Sequence, residues 1–476
     1  MATSKAPSGP SAATLYLERL AAESPIEVRE SELGGHGVFA RGTIQADTVF
    51  LKDVPLCWLP DNEVGTGNCR GCGAFLGTLG EQMARAAGKS GSVALPEVDA
   101  DAPTADVALN PPKTADAEGT CDGCPRHGCT PLVVEARGNA NEILYVQLAA
   151  QLMARLLASG AIDWSALDAL ASPAWAEVCG GGDDPALPHT SFKPLLAALR
   201  ASSAARPAAL KDPELPRAWA RCLGATARNA IRVKVPNPLV FYAAALRPRV
   251  PHELGSLVAQ IAGRQQMPVS GGKRRHGDDD ENGGGEDDDD EEEEEDDDDD
   301  DDDDEEEDEE SGEESGGESS DEEEIEFSWE VLPAKPAGKS KAKGKGAVGA
   351  RQLHFTSALF PALAGTAVFP LLSKLNHSCE PNAFIVHSAD AGGQLVACRE
   401  LERGDELTIS YLSDKGEAMG VKQRRRRLMA QYGFLCDCPR CEAEAGKAAL
   451  APDEQQVCFP CQPEGAVAAV RLGDGS

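Results

Sequence analysis

Three short stretches near the C-terminal end of this 476-residue chain carry the most information about its fold: NHSCEPN over Asn376–Asn382, GDELTISY over Gly404–Tyr411 and CDCPRC over Cys436–Cys441. The first follows the apolar run Phe369–Leu372 and, taken alone, is also compatible with a polar turn after a buried strand. The third supplies three thiols within six residues, close enough for one tetrahedral zinc ion if a fourth ligand comes from elsewhere. The specific signal is the order and spacing of the three stretches together.

The negative charge of the chain is concentrated in one segment. The formal net charge is −35, and the segment from Asp278 to Glu326 holds 37 acidic residues and no basic residue. Without those charges the rest of the chain carries +2, so it is close to neutral. Such a tract is ordinarily a solvated, disordered run. The functional alternative is that the tract attracts a basic protein partner over long range. Its negative charge disfavours direct binding of nucleic acid.

Cysteine usage and hydropathy indicate a reducing compartment. The 15 cysteines fall in short clusters, and the start of the chain, Met1–Ala13, lacks the apolar core of a secretory signal. No run of about 18 apolar residues occurs, which argues against a membrane span, and we expect no membrane partner. We therefore expect the nucleus and/or the cytoplasm. The basic triplet Lys273–Arg275 is a weak import pattern, and we interpret Arg424–Arg427 as the solvated face of a helix.

Local patterns divide the chain into structural segments. Short apolar runs broken by glycines predict strands and tight turns over Ile26–Leu59. Apolar residues recur at helical intervals over Glu142–Leu157, and weaker helical patterns cover Phe192–Leu199 and Arg217–Leu223. Residues 265–350 are low in complexity and cannot bury enough apolar surface to offset chain entropy, so we predict disorder there.

The C-terminal stretches and the glycine-rich turn GGHGVFA over Gly34–Ala40 resemble a SET domain, and in particular the branch that carries an inserted MYND zinc finger. The resemblance covers roughly residues 26–72, 121–157 and 351–442 and is strongest in the last. It implies a fold with a knot-like crossing, in which the segment bearing Asn-His passes beneath the segment that leads to the tyrosine.

We therefore predict an α+β fold class: a β-rich SET fold split by a zinc-finger-like segment and a helical insertion, with a cysteine-rich post-SET segment and a long disordered acidic insertion. The predicted boundaries are 1–24 (disordered leader), 25–68 (N-terminal SET part), 69–129 (degenerate MYND-like segment), 130–264 (helical insertion), 265–350 (disordered linker), 351–415 (catalytic SET part), 416–445 (post-SET zinc segment) and 446–476 (tail).

The resemblance also implies S-adenosylmethionine as the cofactor and the residues of its site. The residues that would hold the cofactor are Gly35, His36, Gly37, Asn141, Asn376 and His377, with Asn229 as a further asparagine and Phe434 packing on the adenine. Tyr411 would be the catalytic tyrosine and Tyr432 a wall of the lysine channel, the substrate lysine entering between them. For each aromatic residue the alternative is an ordinary core side chain, and the glycine turn alone is compatible with a plain hairpin.

Two zinc sites are predicted. The post-SET ligands would be Cys379, Cys436, Cys438 and Cys441, and the polar residues around the last three disfavour the alternative of reduced core cysteines. The finger ligands would be Cys69, Cys72, Cys121 and Cys124. About 48 residues separate the finger pairs, and only His127 and Cys129 remain of a second interleaved set. We therefore expect one zinc ion in the finger rather than two.

Two functional hypotheses follow. The leading one is a monomeric, S-adenosylmethionine-dependent protein-lysine N-methyltransferase that acts on histone or other basic protein substrates. The alternative is a non-catalytic, SET-like histone-binding or adaptor protein that uses the acidic tract. The Asn376–His377 pair, Tyr411 and the complete post-SET cysteine set favour the enzyme, whereas the degenerate finger favours the adaptor. An adaptor need not bind S-adenosylmethionine, so a titration with that compound separates the two.

Overall fold

The structure is a computed structural model that describes residues 11–61, 67–69, 71–98, 132–136, 139–178, 184–202, 208–265, 324–333, 351–412 and 418–445. In these stretches no helix combines the length and the apolar character needed to cross a membrane.

Helices and strands alternate irregularly along the chain. The helices are α1 (Ala12–Leu20), α2 (Leu79–Ala86), α3 (Ala140–Leu157), α4 (Trp164–Ala169), α5 (Leu187–Ala201), α6 (Leu215–Asn229), α7 (Pro238–Ala245), α8 (His252–Gln265), α9 (Val421–Tyr432) and α10 (Pro439–Ala445). The strands are β1 (Ile26–Glu30), β2 (His36–Ala40), β3 (Val49–Asp53), β4 (Cys57–Pro60), β5 (Ala230–Val235), β6 (Arg249–Val250), β7 (Glu326–Val331), β8 (Arg351–Thr356), β9 (Leu363–Val368), β10 (Asn376–His377), β11 (Ala383–His387), β12 (Gly393–Ala397) and β13 (Glu406–Ile409).

One four-stranded sheet joins the two ends of the predicted SET domain in the order β1-β2-β13-β10. Strands β1 and β2 form an antiparallel hairpin, and β13 pairs antiparallel with β2 and parallel with β10. Val38, in β2, and Leu407, in β13, are directly opposite each other and fully buried, so burial of both side chains fixes this register. The glycine-rich turn and the NHSC stretch are thereby brought to one sheet.

Two further sheets extend this β-rich part, in the orders β11-β12-β3 and β4-β9-β5. In each of them the N-terminal segment contributes a strand to partners from the C-terminal segment, β3 to β12 and β4 to β9. The C-terminal strand β9 lies between β4 and β5. The structure is a mixture of helices and strands, as the predicted α+β class requires.

A helical core forms from α3, α5 and α6. The helix α3 begins with a capping box, in which Asn139 accepts from the Glu142 backbone N–H and Glu142 accepts from that of Asn139. The predicted helical insertion, 130–264, also contains two strands. One of them, β5, pairs with β9 and buries Val233 and Val235. The alternation of these two valines is a strand pattern that the helical prediction overlooked.

The predicted disorder of residues 265–350 is wrong for residues 324–333. Strand β7 pairs antiparallel with β8 and parallel with β6. Its residues Phe327, Trp329 and Val331 are buried, and they pack with α2, α7 and α8 in a separate hydrophobic cluster. The apolar residues recur at every second position, which is the pattern of a half-buried strand. The acidic residues immediately before them dominated the composition and concealed this pattern.

The predicted disordered leader, 1–24, is wrong from residue 12 onward. The Ser11 hydroxyl accepts a hydrogen bond from the Thr14 N–H and caps the start of α1. Leu17 and Ala21, one helical turn apart, are buried against the β-rich core. Burial of that face holds a helix in a segment whose composition alone indicates a loose chain.

Candidate active site and metal centre

A short parallel pairing brings the NHSC stretch next to the catalytic tyrosine predicted from the sequence. In β10 and β13, Asn376 is the partner of Thr408 and His377 the partner of Ile409. Tyr411 follows two residues after Ile409. Residues 34 positions apart in the chain are therefore neighbours in space, as the sequence predicts for Asn376, His377 and Tyr411.

Asn382, the last residue of NHSCEPN, holds the two segments together. Its side-chain oxygen accepts from the Thr408 N–H at 2.9 Å, and its amide nitrogen donates to the Glu406 carbonyl at 2.8 Å. The side chain is 8% exposed. Because these bonds satisfy two backbone groups, Asn382 has a positioning role that sequence analysis did not assign to it.

His377 bridges the tyrosine segment and the cysteine cluster. Its Nδ1 accepts a hydrogen bond from the Tyr411 backbone N–H at 2.9 Å, so the ring proton lies on Nε2. Nε2 lies 3.3 Å from the Cys379 sulfur. The imidazole thus donates toward the sulfur on one side and fixes the backbone of Tyr411 on the other.

The Tyr411 side chain is held by its hydroxyl and largely removed from water. The hydroxyl donates to the Leu375 carbonyl at 2.6 Å. Burial, followed by smaller contributions from Tyr432 and Glu406, raises the pKa of Tyr411 above its ordinary value. The raised pKa favours the neutral phenol, whose oxygen can orient a ligand or accept a hydrogen bond from it.

Three aromatic side chains surround Tyr411. Its ring centroid lies 4.8 Å from that of Tyr432, 5.3 Å from that of His377 and 6.2 Å from that of Phe434. The Tyr432 hydroxyl donates to the Tyr411 carbonyl at 3.4 Å. The two tyrosine rings therefore lie next to each other. Entry of a lysine side chain between them stays a prediction.

A left-handed glycine and an arginine from the helical insertion place Tyr432 and Phe434. Gly433 ends α9 with φ of 76°, and its N–H donates to carbonyls of the last helical turn. Arg228, near the end of α6, donates from Nη1 to the Tyr432 carbonyl at 3.0 Å. This turn directs both aromatic rings toward Tyr411.

The predicted cofactor turn lies between β1 and β2. Gly34 and Gly35 have φ of 122° and 60°, which side chains other than glycine rarely adopt. Gly35 and His36 are exposed, whereas Gly37 is buried. A Cβ atom on Gly37 would lie 2.3 Å from the Glu406 Oε1 atom, so the absence of a side chain there lets β2 approach Glu406.

Glu406 connects the glycine turn to Asn376, and sequence analysis did not identify it. Its carboxylate accepts from the Ser31 hydroxyl at 2.7 and 2.8 Å and from the Asn376 amide nitrogen at 2.7 Å. These bonds orient the Asn376 amide so that its oxygen faces away from the carboxylate. Glu406 is visible in the GDELTISY stretch, but its hydrogen-bond partners, Ser31 and Asn376, become known only once the strands are paired.

The two other predicted asparagines are less directly placed at this cluster. Asn229 is 4% exposed, and its amide nitrogen donates to the carbonyls of Ala171 and Ala225 while its oxygen accepts from the Ala171 N–H. Both amide protons are therefore used by the backbone, and the residue ties α6 to the chain that follows α4. Asn141 is exposed in the first turn of α3.

The four predicted post-SET cysteines converge. Their sulfur atoms all lie within 4.8 Å of one another, and all four side chains are buried. The Cys379 sulfur is 3.9 Å from that of Cys436 and 3.5 Å from that of Cys441. Zinc–sulfur bonds of about 2.3 Å in a tetrahedron require sulfurs about 3.8 Å apart, so the cluster fits a structural zinc ion.

The finger-like segment is described only in part. Cys69 and Cys72 are fully buried, in a turn where the Gly73 N–H donates to the Cys69 carbonyl at 2.7 Å and the Cys69 N–H donates to the Ala74 carbonyl at 2.8 Å. The other predicted ligands, Cys121 and Cys124, lie outside the described residues. Within those residues, the post-SET cysteines are the one group of three or more side chains that could hold a metal ion.

Comparison with known proteins agrees with this geometry. The family model described as SET domain matches residues 287–412. This segment of the chain is therefore similar to a SET domain. The matched region includes Asn376, Cys379, Glu406 and Tyr411. The glycine turn, the finger-like segment 69–129 and the other three post-SET cysteines, Cys436, Cys438 and Cys441, lie outside it.

Curated relatives support a SET domain of the SMYD-like kind. Histone-lysine N-methyltransferase SMYD3 of Mus musculus is 41% identical over 95 residues, 20% of this chain and 21% of that protein. Protein-lysine N-methyltransferase SMYD4 of Homo sapiens is 36% identical over 93 residues, 20% of this chain and 11% of that protein. A SET and MYND domain-containing protein of Dictyostelium discoideum is 37% identical over 78 residues, 16% of this chain and 22% of that protein. The chain therefore spans less than a quarter of the length of each relative.

Proposed function

We propose that this chain is an S-adenosylmethionine-dependent protein-lysine N-methyltransferase centred on Tyr411. The observation that carries the proposal is that Tyr411 is fixed twice, through its N–H to His377 and through its hydroxyl to the Leu375 carbonyl. A rigid, neutral phenol beside the Asn376–His377 strand can orient an amine, and alignment of reacting groups is a large part of catalysis.

The residues of this cluster fit the cofactor. Gly37 keeps the sheet clear of side-chain bulk, and the amide nitrogen of Asn376 is engaged by Glu406, which leaves its oxygen to accept from an ammonium group. We propose that the cofactor is held by Gly35, His36, Gly37, Asn141, Asn376, His377 and Phe434. Bound S-adenosylmethionine would supply a methyl group on a sulfonium centre. The knot-like crossing of the two segments belongs to this proposal and is supported by the β10–β13 pairing.

The chain's own residues would prepare the substrate amine. A free lysine has a pKa of about 10.4 and is mostly protonated at neutral pH. Removal from water in a channel walled by Tyr411, Tyr432 and Phe434 would disfavour the charged ammonium and so promote release of its proton to solvent. The lysine would enter between Tyr411 and Tyr432, with the Tyr411 oxygen accepting from the amine.

We propose that zinc at Cys379, Cys436, Cys438 and Cys441 has a structural role. Four thiolates leave no open position for a reactive water molecule, so the site would pin α9 and α10 against the active-site strands. Zinc at the finger cysteines Cys69, Cys72, Cys121 and Cys124 is also proposed, supported by the turn that buries the first pair.

The proposed substrate is a histone or another basic protein, in the nucleus and/or the cytoplasm, and the enzyme would act as a monomer. The acidic tract between Asp278 and Glu326 supports a basic partner, because a dense anionic segment raises the local concentration of cations. We propose neither nucleic acid nor membrane as a partner.

The test is Tyr411→Phe with Tyr242→Phe as the matched control. Both phenols donate to a backbone carbonyl, Tyr242 to that of Pro96 at 3.1 Å in a separate hydrophobic cluster. The purified variants are incubated with labelled S-adenosylmethionine and cell extract, and labelled lysines are identified by mass spectrometry. We expect Tyr411→Phe to abolish labelling while calorimetric binding of the cofactor persists, and Tyr242→Phe to retain activity. Absence of cofactor binding by the wild-type chain would favour the adaptor hypothesis.

A further inference from the structure

Arg424 lies inside the post-SET cysteine cluster. The sequence places it in the basic run Arg424–Arg427, which we predicted to be a solvated helical face. That prediction is wrong for Arg424, which is 1% exposed, whereas Arg426 and Arg427 are exposed. An arginine is almost never fully buried unless its charge is paired, so its surroundings require an explanation.

The Arg424 guanidinium donates to two of the cysteine sulfurs. Its Nε lies 3.2 Å from the Cys379 sulfur, and its Nη2 lies 3.4 Å from the Cys441 sulfur. Nη2 also donates to the Glu444 carboxylate at 3.1 Å, and Nη1 donates to the Met419 carbonyl at 2.5 Å. Every nitrogen of the guanidinium thus has a partner, and two of the four partners are proposed metal ligands.

Electrostatics explains why a buried cation is useful at this position. Four thiolates around a divalent ion carry a net charge of −2, and burying uncompensated charge is costly. Arginine stays protonated under all ordinary conditions, and its planar fork can donate to two acceptors at once. A lysine in the same position would bring the charge but would present a single nitrogen.

We infer that Arg424 is an outer-sphere residue of the post-SET metal site that orients the Cys379 and Cys441 sulfurs and slows loss of the metal. This inference rests on the proposed zinc site. Hydrogen bonds from outside the ligand set commonly change metal affinity by about 10-fold to 100-fold when they are removed. Cys379 also faces the His377 ring, so Arg424 helps to hold a sulfur that the active-site strand contacts.

The experiment measures zinc transfer from the folded full-length chain to a chromophoric chelator. All proteins carry Cys72→Ser, so that a finger site does not contribute to the signal. We expect Arg424→Met to release zinc about 10-fold to 100-fold faster than the parent. Arg424→Lys should lie between the two, and Arg427→Met, the control on the exposed face of the same helix, should match the parent within about two-fold.

The outcomes separate this inference from the proposed function. Bound zinc with an unchanged release rate in Arg424→Met would overturn the role of Arg424 and leave the methyltransferase proposal intact. A parent chain that binds no zinc would overturn the metal site and this inference together.

If Arg424→Met does not fold, Glu444→Gln provides the second test, because it weakens the contact that holds the Arg424 guanidinium on the side away from the sulfurs. It should accelerate release, and an unchanged rate would contradict the inference. The thiolate-to-metal absorption band of cobalt-substituted protein should also shift in Arg424→Lys.

Discussion

The Glu406 carboxylate accepts a hydrogen bond from the Asn376 side-chain amide across 2.7 Å, and the same carboxylate is bound by the Ser31 hydroxyl. One acidic side chain therefore joins the β1–β2 turn to the Asn376–His377 strand. Because an amide has a donor end and an acceptor end, this contact decides which end of Asn376 is presented to a ligand.

Removing the Glu406 carboxylate should weaken cofactor binding. With Glu406→Ala the Asn376 amide loses its fixed orientation, at a cost of about 1–2 kcal/mol, or roughly a ten-fold increase in Kd for S-adenosylmethionine. Glu406→Gln should remain close to wild type, because its amide oxygen still accepts. Ser31→Ala should have a smaller effect than Glu406→Ala. Calorimetry on folded variants measures this, and a wild-type Kd for Glu406→Ala would refute the orienting role.

A methyl group at position 37 should disturb the same contact. The new Cβ of Gly37→Ala would lie 2.3 Å from the Glu406 carboxylate, and overpacking of this kind typically costs about 1–3 kcal/mol. The matched control is Gly42→Ala, because a Cβ there meets nothing within 4 Å. We expect a lower Tm and weaker cofactor binding for the first variant only. Equal behaviour of the two variants would show that the close approach is unimportant.

Removing the proposed zinc ion should disorganise the aromatic cluster. The cysteine cluster packs against Tyr411, Tyr432 and Phe434, so its loss should reduce the near-ultraviolet circular dichroism and abolish methyl transfer. A chelator already saturated with zinc serves as the control, and added zinc should restore both signals. Full activity after the metal has been removed would contradict this coupling.

The stability of the chain should fall as pH rises from about 4 to about 7 because of Asp53. Burial raises the pKa of its carboxyl from 3.8 to about 7, although the N–H groups of Leu372 and Leu371 partly oppose the shift. The folded chain then holds a proton that the unfolded chain has released, so each rise in pH across this window favours unfolding. At 1.36 kcal/mol per pKa unit the effect is at most about 4 kcal/mol.

The measurement for Asp53 is the difference in the free energy of unfolding between wild type and Asp53→Asn as a function of pH. The asparagine keeps an acceptor for the two N–H groups but does not titrate. We expect the difference to move in favour of the variant from pH 4 to pH 7 and to be constant above that. A difference independent of pH would show that the carboxyl titrates normally.

Deleting the acidic tract should weaken binding of a basic substrate mainly at low ionic strength. The deletion is best confined to residues 278–320, because strand β7 begins at Glu326. Replacing the same residues with a neutral segment of equal length controls for tether length. Screening by salt should remove the difference between the proteins, since the Debye length falls from about 30 Å at 0.01 M to about 8 Å at 0.15 M. A salt dependence equal to that of wild type would exclude a role in recruitment.

A SET domain can be predicted from the sequence, because its signal is a spacing of particular residues along the chain. Asn376, His377 and Tyr411, and the four post-SET cysteines, were identified in this way and are brought together in space. Local composition, by contrast, gave wrong expectations for α1 and β7. Both are short, and what holds them in place is burial against distant segments rather than their own propensity.

The roles of the residues that connect these motifs become visible in the three-dimensional structure. Glu406 is one of several acidic residues in the sequence, and Arg424 is one of four consecutive arginines. Their partners come from strands and helices that are far away in sequence. Hydrogen bonds and buried charges depend on which groups meet at about 3 Å, and a pattern in one dimension does not contain that information.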